Sequence, residues 1–125
     1  LRTGVNIKNS DRVKTVCDFF EKLIKKFRPD KVALESLFFF KNAKTVVKVS
    51  EIRGVLMLAA AKNGVEIAEF TPLQVKQAVS GYGRAEKSQV QKMVKLILGL
   101  KTEPKPDDVA DALAIAICCA NTVVY

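Results

Sequence analysis

The chain has 125 residues, of which 49% are hydrophobic and 27% are charged, and this apolar share excludes an intrinsically disordered chain. No apolar run reaches the roughly 18 residues that a membrane-spanning helix needs, because a charged residue interrupts each one. Lys and Arg outnumber Asp and Glu by 21 to 13, and the net charge of +8 favours a polyanionic partner, with nucleic acid ahead of an anionic membrane.

The histidine and cysteine content limits which catalytic groups and metal ligands the chain can use. The chain lacks histidine, the commonest general base and metal ligand. Its cysteines, Cys17, Cys118 and Cys119, are odd in number and form no C-x-x-C pair, which argues against a disulfide framework and structural zinc and fits a reducing compartment. We expect the adjacent Cys118 and Cys119 to be small core residues, and the chain to form one domain spanning residues 1–125.

The first half of the chain predicts two strands and two helices. Residues 1–7 predict a short strand, and Ser10 is a suitable N-cap for the segment that follows. Over residues 11–27 the apolar side chains recur at i, i+3, i+4 and i+7, which predicts an amphipathic helix. Residues 31–35 predict a buried strand. Residues 43–62 predict a helix that is apolar on two sides and therefore buried on two sides, in the core or against another subunit.

The second half predicts one strand and three helices. Residues 65–70 alternate between apolar and polar side chains, as a strand does. The sequence Thr-Pro-Leu-Gln at 71–74 is a capping box with proline at the first helical position, and it predicts a short helix to about residue 79. A further helix is predicted over 88–100. The last helix begins at Asp107 or Asp108 and ends near residue 120.

The order of these elements, β-α-β-α-β-α-α-α, predicts an α/β fold in which helices cover the faces of a sheet. In such folds the functional site lies at the carboxyl ends of the strands.

Three carboxylates stand out by their positions. Glu35 ends an apolar strand, while Asp108 and Asp111 project from one face at the start of the last helix. Ionised carboxylates that converge without histidine suit Mg²⁺, which prefers oxygen ligands. Each residue taken alone also has an ordinary explanation, because acids in a first helical turn are usually caps and a glutamate at a strand end is usually solvated. Asp107 could equally be the cap of this helix.

Basic and aromatic residues suggest contact with nucleic acid. Lys76, Arg84 and Lys87 surround a glycine-containing loop, and Lys41 follows the aromatic run 38–40. Lysines beside a metal site can hold phosphate, and an exposed aromatic side chain can stack on unpaired bases. A solvated loop and a packed core turn are the plainer alternatives.

Three segments together resemble the RuvC family of Holliday-junction resolvases. The first is Val-Ala-Leu-Glu at 32–35, followed by Phe38, Lys41-Asn42 and Arg-Gly-Val at 53–55. The second is the long block 74–94, and the third is Asp-x-Ala-Asp-Ala-Leu-Ala-Ile-Ala at 108–116. The last two blocks are long enough to be highly specific.

The resemblance implies an RNase H-like fold with a mixed sheet flanked by helices. It implies a homodimer formed through helix 43–62, in which each subunit nicks one of two opposed strands of a four-way DNA junction during recombination and repair. It further implies Mg²⁺-dependent hydrolysis, with two ions per site and Mn²⁺ as a substitute, that leaves 5′-phosphate and 3′-hydroxyl ends. A branch-migration helicase partner and a bacterial cytoplasm are implied as well.

The resemblance also assigns roles to individual residues. Those matching metal-binding, catalytic carboxylates are Glu35, Asp108 and Asp111. Those matching catalytic, phosphate-contacting lysines are Lys76 and Lys87, and the expected DNA-binding surface adds Phe38, Lys41 and Arg84.

One family feature is missing from the sequence. The family begins with a strand and turn reading G-I-D-P-G, whose aspartate is a further metal ligand, and no such segment occurs here. We therefore expect an N-terminally truncated member that binds Mg²⁺ poorly and cuts little. The alternatives are a DNA-binding module or paralogue without catalysis and a different RNase H-like nuclease, against which the block 74–94 argues.

Overall fold

The computed structural model describes residues 1–36 and 42–122, in which five helices and two strands occur. In chain order they are α1 (Asn9–Phe27), β1 (Lys31–Glu35), α2 (Ala43–Lys62), β2 (Glu66–Phe70), α3 (Pro72–Ser80), α4 (Lys87–Leu98) and α5 (Asp107–Asn121). The two strands form a small parallel sheet, with α2 as the crossover between them.

Most of the predicted elements are confirmed. The bounds of β1 and α2 agree with the prediction, and those of the other helices and of β2 agree to within about two residues. The capping box at α3 is present: the Thr71 hydroxyl accepts the Gln74 backbone N–H, and the Gln74 side chain accepts the Thr71 backbone N–H. Glycines in the left-handed region end α3 at Gly81 and α4 at Gly99, where a side chain would be strained.

The prediction for the first ten residues is wrong. Residues 1–7 form no strand and contain a turn at 5–7, with Val5 exposed. A strand requires a neighbour that accepts its backbone hydrogen bonds, and in the described residues the sheet consists of β1 and β2 alone. Ser10 does not cap α1 but lies inside it, because the helix begins at Asn9, two residues before the predicted start, and Lys8 is its N-cap.

The chain divides into two compact units, whose described residues are 1–32 with 42–67 and 33–36 with 68–122. In the first unit α1 packs against α2, and the buried residues are Ile24 on α1 and Ala59 and Ala60 on α2. The expected two-sided burial of α2 is incomplete in the isolated chain, because Val47 and Leu58 are 55% and 59% exposed.

In the second unit α3, α4 and α5 pack against one another. Their shared core is apolar and includes the end of β2. Its buried members are Phe70, Val75, Val79, Ala85, Val90, Val94, Ala114, Ile117 and Cys118. Ala33 of β1 and Ala68 of β2 pack against this core, so the ends of both strands are fixed beside the three helices.

The three cysteines are free thiols, and Cys118 lies in the core as expected. Within the described ranges, each helix is too short or too polar to cross a membrane.

Candidate active site

A cavity of about 210 Å³ lies in the second unit and has four charged side chains in its wall. Two are carboxylates, Glu35 and Asp111, and two are lysines, Lys76 and Lys87. The remaining wall is apolar apart from backbone and consists of Pro72, Val75, Val90, Ala114 and Ile115. Several of these apolar residues also belong to the core, so the charged groups stand on a well-packed base.

Each charged side chain comes from a different element. Glu35 is the last residue of β1, and the backbone N–H of the next residue, Ser36, donates to the Phe70 carbonyl oxygen at 2.8 Å. This bond holds the end of β1 beside the end of β2, where the capped helix α3 begins. Lys76 lies in the second turn of α3, and Lys87 is the first residue of α4. The site is therefore at the carboxyl ends of the strands, as the fold class predicts.

The environment of Glu35 raises the pKa of its carboxyl group above the ordinary value. Partial burial is the largest cause, because it disfavours the ionised form, and the negative charge of Asp111 adds to it. The positive charge of Lys76 acts in the opposite direction. The two carboxylates thus repel each other across the cavity, and a cation between them would relieve that repulsion.

Lys87 lies between two acids of α5. Its Nζ is 3.3 Å from Oδ2 of Asp107 and 3.8 Å from Oδ2 of Asp111. The hydrogen bond to Asp107 is the main reason that the pKa of Lys87 is raised, followed by the charges of Asp111, Asp107 and Asp108. The other oxygen of Asp107, Oδ1, accepts a hydrogen bond from Nε2 of Gln91 at 3.0 Å.

Comparison with known proteins identifies the family. The family model described as "Crossover junction endodeoxyribonuclease RuvC" matches residues 1–119. The chain belongs to the RuvC family. It is 60% identical over 122 residues to the RuvC of Ruminiclostridium cellulolyticum, covering 98% of this chain and 74% of that protein. It is 50% identical over 125 residues to the RuvC of Heliobacterium modesticaldum, covering 77% of that protein.

Solved RuvC structures share the fold. A Thermus thermophilus RuvC structure superposes with a TM-score of 0.89 at 38% sequence identity, covering 96% of this chain and 72% of that one. The structure of T. thermophilus RuvC in complex with Holliday junction substrate superposes with a TM-score of 0.92 at 39% identity, covering 95% and 72% of the two chains. The expected RNase H-like α/β fold is thereby confirmed.

The structure of this RuvC family member brings together four of the predicted site residues and leaves others apart. Glu35, Lys76, Lys87 and Asp111 line one cavity. Asp108 is exposed in the first turn of α5 and is not part of the wall, although its charge raises the pKa of Lys87. Arg84 is exposed in the α3–α4 connection and does not line this cavity, and Phe38 and Lys41 lie outside the described residues.

Two residues at the site were not predicted to take part. The sequence pattern indicates only a helix cap at Asp107, whereas its side chain contacts Lys87 and Gln91. Gln91 was not singled out at all. The signal that could have found it is its position four residues after Lys87, which places both side chains on the same face of α4.

The donor set fits a hard divalent cation. Within residues 1–36 and 42–122, no three side chains of His, Cys, Asp or Glu are grouped closely enough to hold a metal ion by themselves. Glu35 and Asp111 nevertheless share a wall, and each feels a nearby ammonium group. Mg²⁺ is usually held by one or two carboxylates together with substrate phosphates and water, so the two carboxylates of this wall are enough to hold one ion.

Proposed function

We propose that Glu35, Asp108 and Asp111 hold divalent metal ions, in the first place Mg²⁺, with which this Holliday junction endonuclease hydrolyses DNA phosphodiester bonds. The chain is a member of a family of metal-dependent nucleases. The observation that carries the residue assignment is the cavity in whose wall two carboxylates and two lysines meet from four different elements. One family model spans residues 1–119, and we treat the chain as a single nuclease domain.

The two carboxylates and the two lysines have complementary tasks. When bound, divalent cations supply Lewis-acid chemistry at the scissile phosphate. Glu35 and Asp111 provide the negative charge that retains such cations, and Lys76 and Lys87 bind the non-bridging phosphate oxygens of the entering strand. The same ammonium groups offset the negative charge that develops at phosphorus during hydrolysis. The products are a 5′-phosphate and a 3′-hydroxyl end.

The surrounding surface would contact the junction. We assign Arg84 to the phosphate backbone, since it is exposed close to the start of α4 in sequence and the chain carries a net charge of +8. Phe38 and Lys41 are assigned to unpaired bases and backbone at the junction centre, and this assignment rests on the sequence resemblance alone.

A homodimer would supply the two active sites that opposed strands require. We assign its interface to α2, because this helix has apolar side chains exposed to solvent in the isolated chain, Val47, Val49 and Leu58 among them. The family resemblance further leads us to propose a branch-migration helicase as partner and the bacterial cytoplasm as the place of action.

The decisive experiment compares variants in the Mg²⁺-dependent cleavage of a synthetic four-way junction, at protein concentrations high enough to quantify the weak activity that we expect of this chain. We expect Glu35→Gln, Asp108→Asn and Asp111→Asn each to reduce cleavage at least about 100-fold, because each removes a metal ligand. Junction affinity, measured by gel shift in the absence of divalent metal, should not fall, since the phosphate contacts come from other residues. Glu103→Gln removes the same charge outside the cavity and is the matched control.

The results also separate the alternatives. An Asp111→Asn chain that cuts at the normal rate would refute the site assignment. A wild-type chain that shifts the junction and leaves it intact would instead be the binding module without catalysis, which the family assignment does not favour.

A further inference from the structure

Asp107 forms a bridge between α5 and α4. Its Oδ2 lies 3.3 Å from Nζ of Lys87, and its Oδ1 accepts the hydrogen bond from Gln91. Lys87 and Gln91 are one helical turn apart on α4, so both oxygens of one carboxylate are engaged by the same face of the same helix. Asp111, one turn further along α5, is the more distant of the two acids from the ammonium group, at 3.8 Å.

We propose that Asp107, held in orientation by Gln91, is a positioning residue for Lys87: it keeps the ammonium group beside Asp111 and prevents Asp111 from becoming the sole acidic partner of that group. The inference rests on the proposed function, in which Lys87 binds phosphate and Asp111 binds a cation.

An exposed ion pair alone would not fix a long lysine side chain. The Lys87 and Asp107 side chains are each more than half exposed, and such pairs stabilise little, because ordering two flexible side chains offsets the attraction. The hydrogen bond from Gln91 changes this balance, because Asp107 is already oriented before Lys87 binds to it. The raised pKa of Lys87, whose largest cause is the hydrogen bond to Asp107, is consistent with that arrangement.

The bridge also determines how available Asp111 is. Without the Asp107 carboxylate, Lys87 would retain one acid within ion-pair distance among the described residues, Asp111. A lysine with Asp111 as its single acidic partner would compete with the cation for a carboxylate oxygen, and at the longer distance of 3.8 Å it would be less firmly held toward the entering phosphate. Asp107 therefore favours turnover because it shares the Lys87 ammonium group with Asp111, which leaves the Asp111 carboxylate more available to the cation.

Asp107→Asn distinguishes positioning from bulk electrostatics, because only positioning predicts a lower kcat. If Asp107 acted only through its charge, its removal would make the surface more positive and would strengthen junction binding without slowing cleavage. Positioning predicts that kcat falls about tenfold while junction affinity stays unchanged or rises. Glu103→Gln gives the baseline for losing one negative charge elsewhere in the same unit.

A second variant tests the path of the effect. Gln91→Ala keeps every charge and removes the hydrogen bond to Asp107, so kcat should fall by a smaller factor, about threefold. The double variant should be no slower than Asp107→Asn alone, because Gln91 acts through Asp107. If the kcat of the double variant fell by the product of the two single reductions, Gln91 would not act through Asp107. An unchanged kcat in Asp107→Asn would overturn the role of Asp107 itself.

A measurement without DNA or metal keeps this inference separate from the proposed function. Nitrogen NMR of the lysine ammonium groups should show Lys87 with restricted motion in the wild-type chain, and Asp107→Asn should restore the mobility seen for the exposed Lys101. Equal mobility of Lys87 in both chains would overturn the proposal. A wild-type chain that showed the restricted ammonium group and cut no junction would overturn the proposed function instead.

Discussion

Val94 offers a quantitative test of how the active-site helices are held together. It is fully buried, with 0% exposure, in the core that α4 shares with α3 and α5. It lies seven residues after Lys87, close to two full turns, so its side chain is on nearly the same face of α4. Packing at Val94 therefore fixes the helix from which Lys87 reaches the cavity.

The expected cost of Val94→Ala follows from the buried volume. Two methyl groups are lost, worth about 0.8 kcal/mol each, and the cavity that remains adds about 1 kcal/mol. Alanine has a higher helix propensity than valine, which offsets about 0.5 kcal/mol of this loss of unfolding free energy. The net loss is about 2 kcal/mol of unfolding free energy, which lowers the Tm of a domain of this size by about 8 °C.

Urea and thermal unfolding followed by circular dichroism measure this loss directly. The matched control is Leu96→Ala, two residues along the same helix, where the leucine is 71% exposed and the change should stay within about 0.5 kcal/mol. Equal losses for the two variants, or no loss for Val94→Ala, would refute the assignment of Val94 to the core.

Three further predictions concern single groups. Because the pKa of Glu35 is raised in the folded chain, ionisation of this carboxyl group at neutral pH destabilises the metal-free protein. Glu35→Gln should therefore raise the Tm of the metal-free protein at neutral pH. The difference in Tm between the two proteins should vanish below the ordinary glutamate pKa, where Glu35 is protonated in both the folded and the unfolded chain. Burial raises the pKa of the Cys118 thiol, so brief alkylation at neutral pH followed by peptide mass spectrometry should label Cys118 last of the three cysteines. Thr71→Ala removes the cap of α3 and should cost about 1 kcal/mol in urea unfolding, whereas Thr71→Ser should retain most of it.

Local patterns were sufficient for most of the fold. The bounds of α2 follow from the apolar run between Asn42, whose side chain caps the first turn, and Asn63-Gly64 at the other end. The start of α3 follows from Thr71, Pro72 and Gln74, which act within a single turn. Residues 1–7 could not be settled in this way, because apolar composition does not supply the neighbouring strand that completes backbone pairing.

The sequence predicts which residues belong to the site, but it does not predict how their side chains are arranged in space. A carboxylate at the end of β1 and acids at the start of α5 are visible in the sequence, and the resemblance to RuvC assigns their roles. Which acid faces the cavity is set by the rotation of α5 against α3 and α4, which depends on the packing of Ala110, Ala114 and Ile117. That rotation turns Asp111 into the wall, leaves Asp108 exposed and brings Asp107 to Lys87.

For the site proposed above, the charges of the cavity predict that metal and DNA bind cooperatively. Its two carboxylates and two lysines are formally neutral together, and each acid already feels an ammonium group, Lys76 at Glu35 and Lys87 at Asp111. Glu35 and Asp111 can hold a cation more tightly once the ammonium groups have other partners, and the phosphates of an entering strand are such partners. Conversely, a cation held by the carboxylates leaves the lysines free for phosphate. Because linkage is reciprocal, junction DNA should strengthen cation binding by the same factor by which the cation strengthens junction binding.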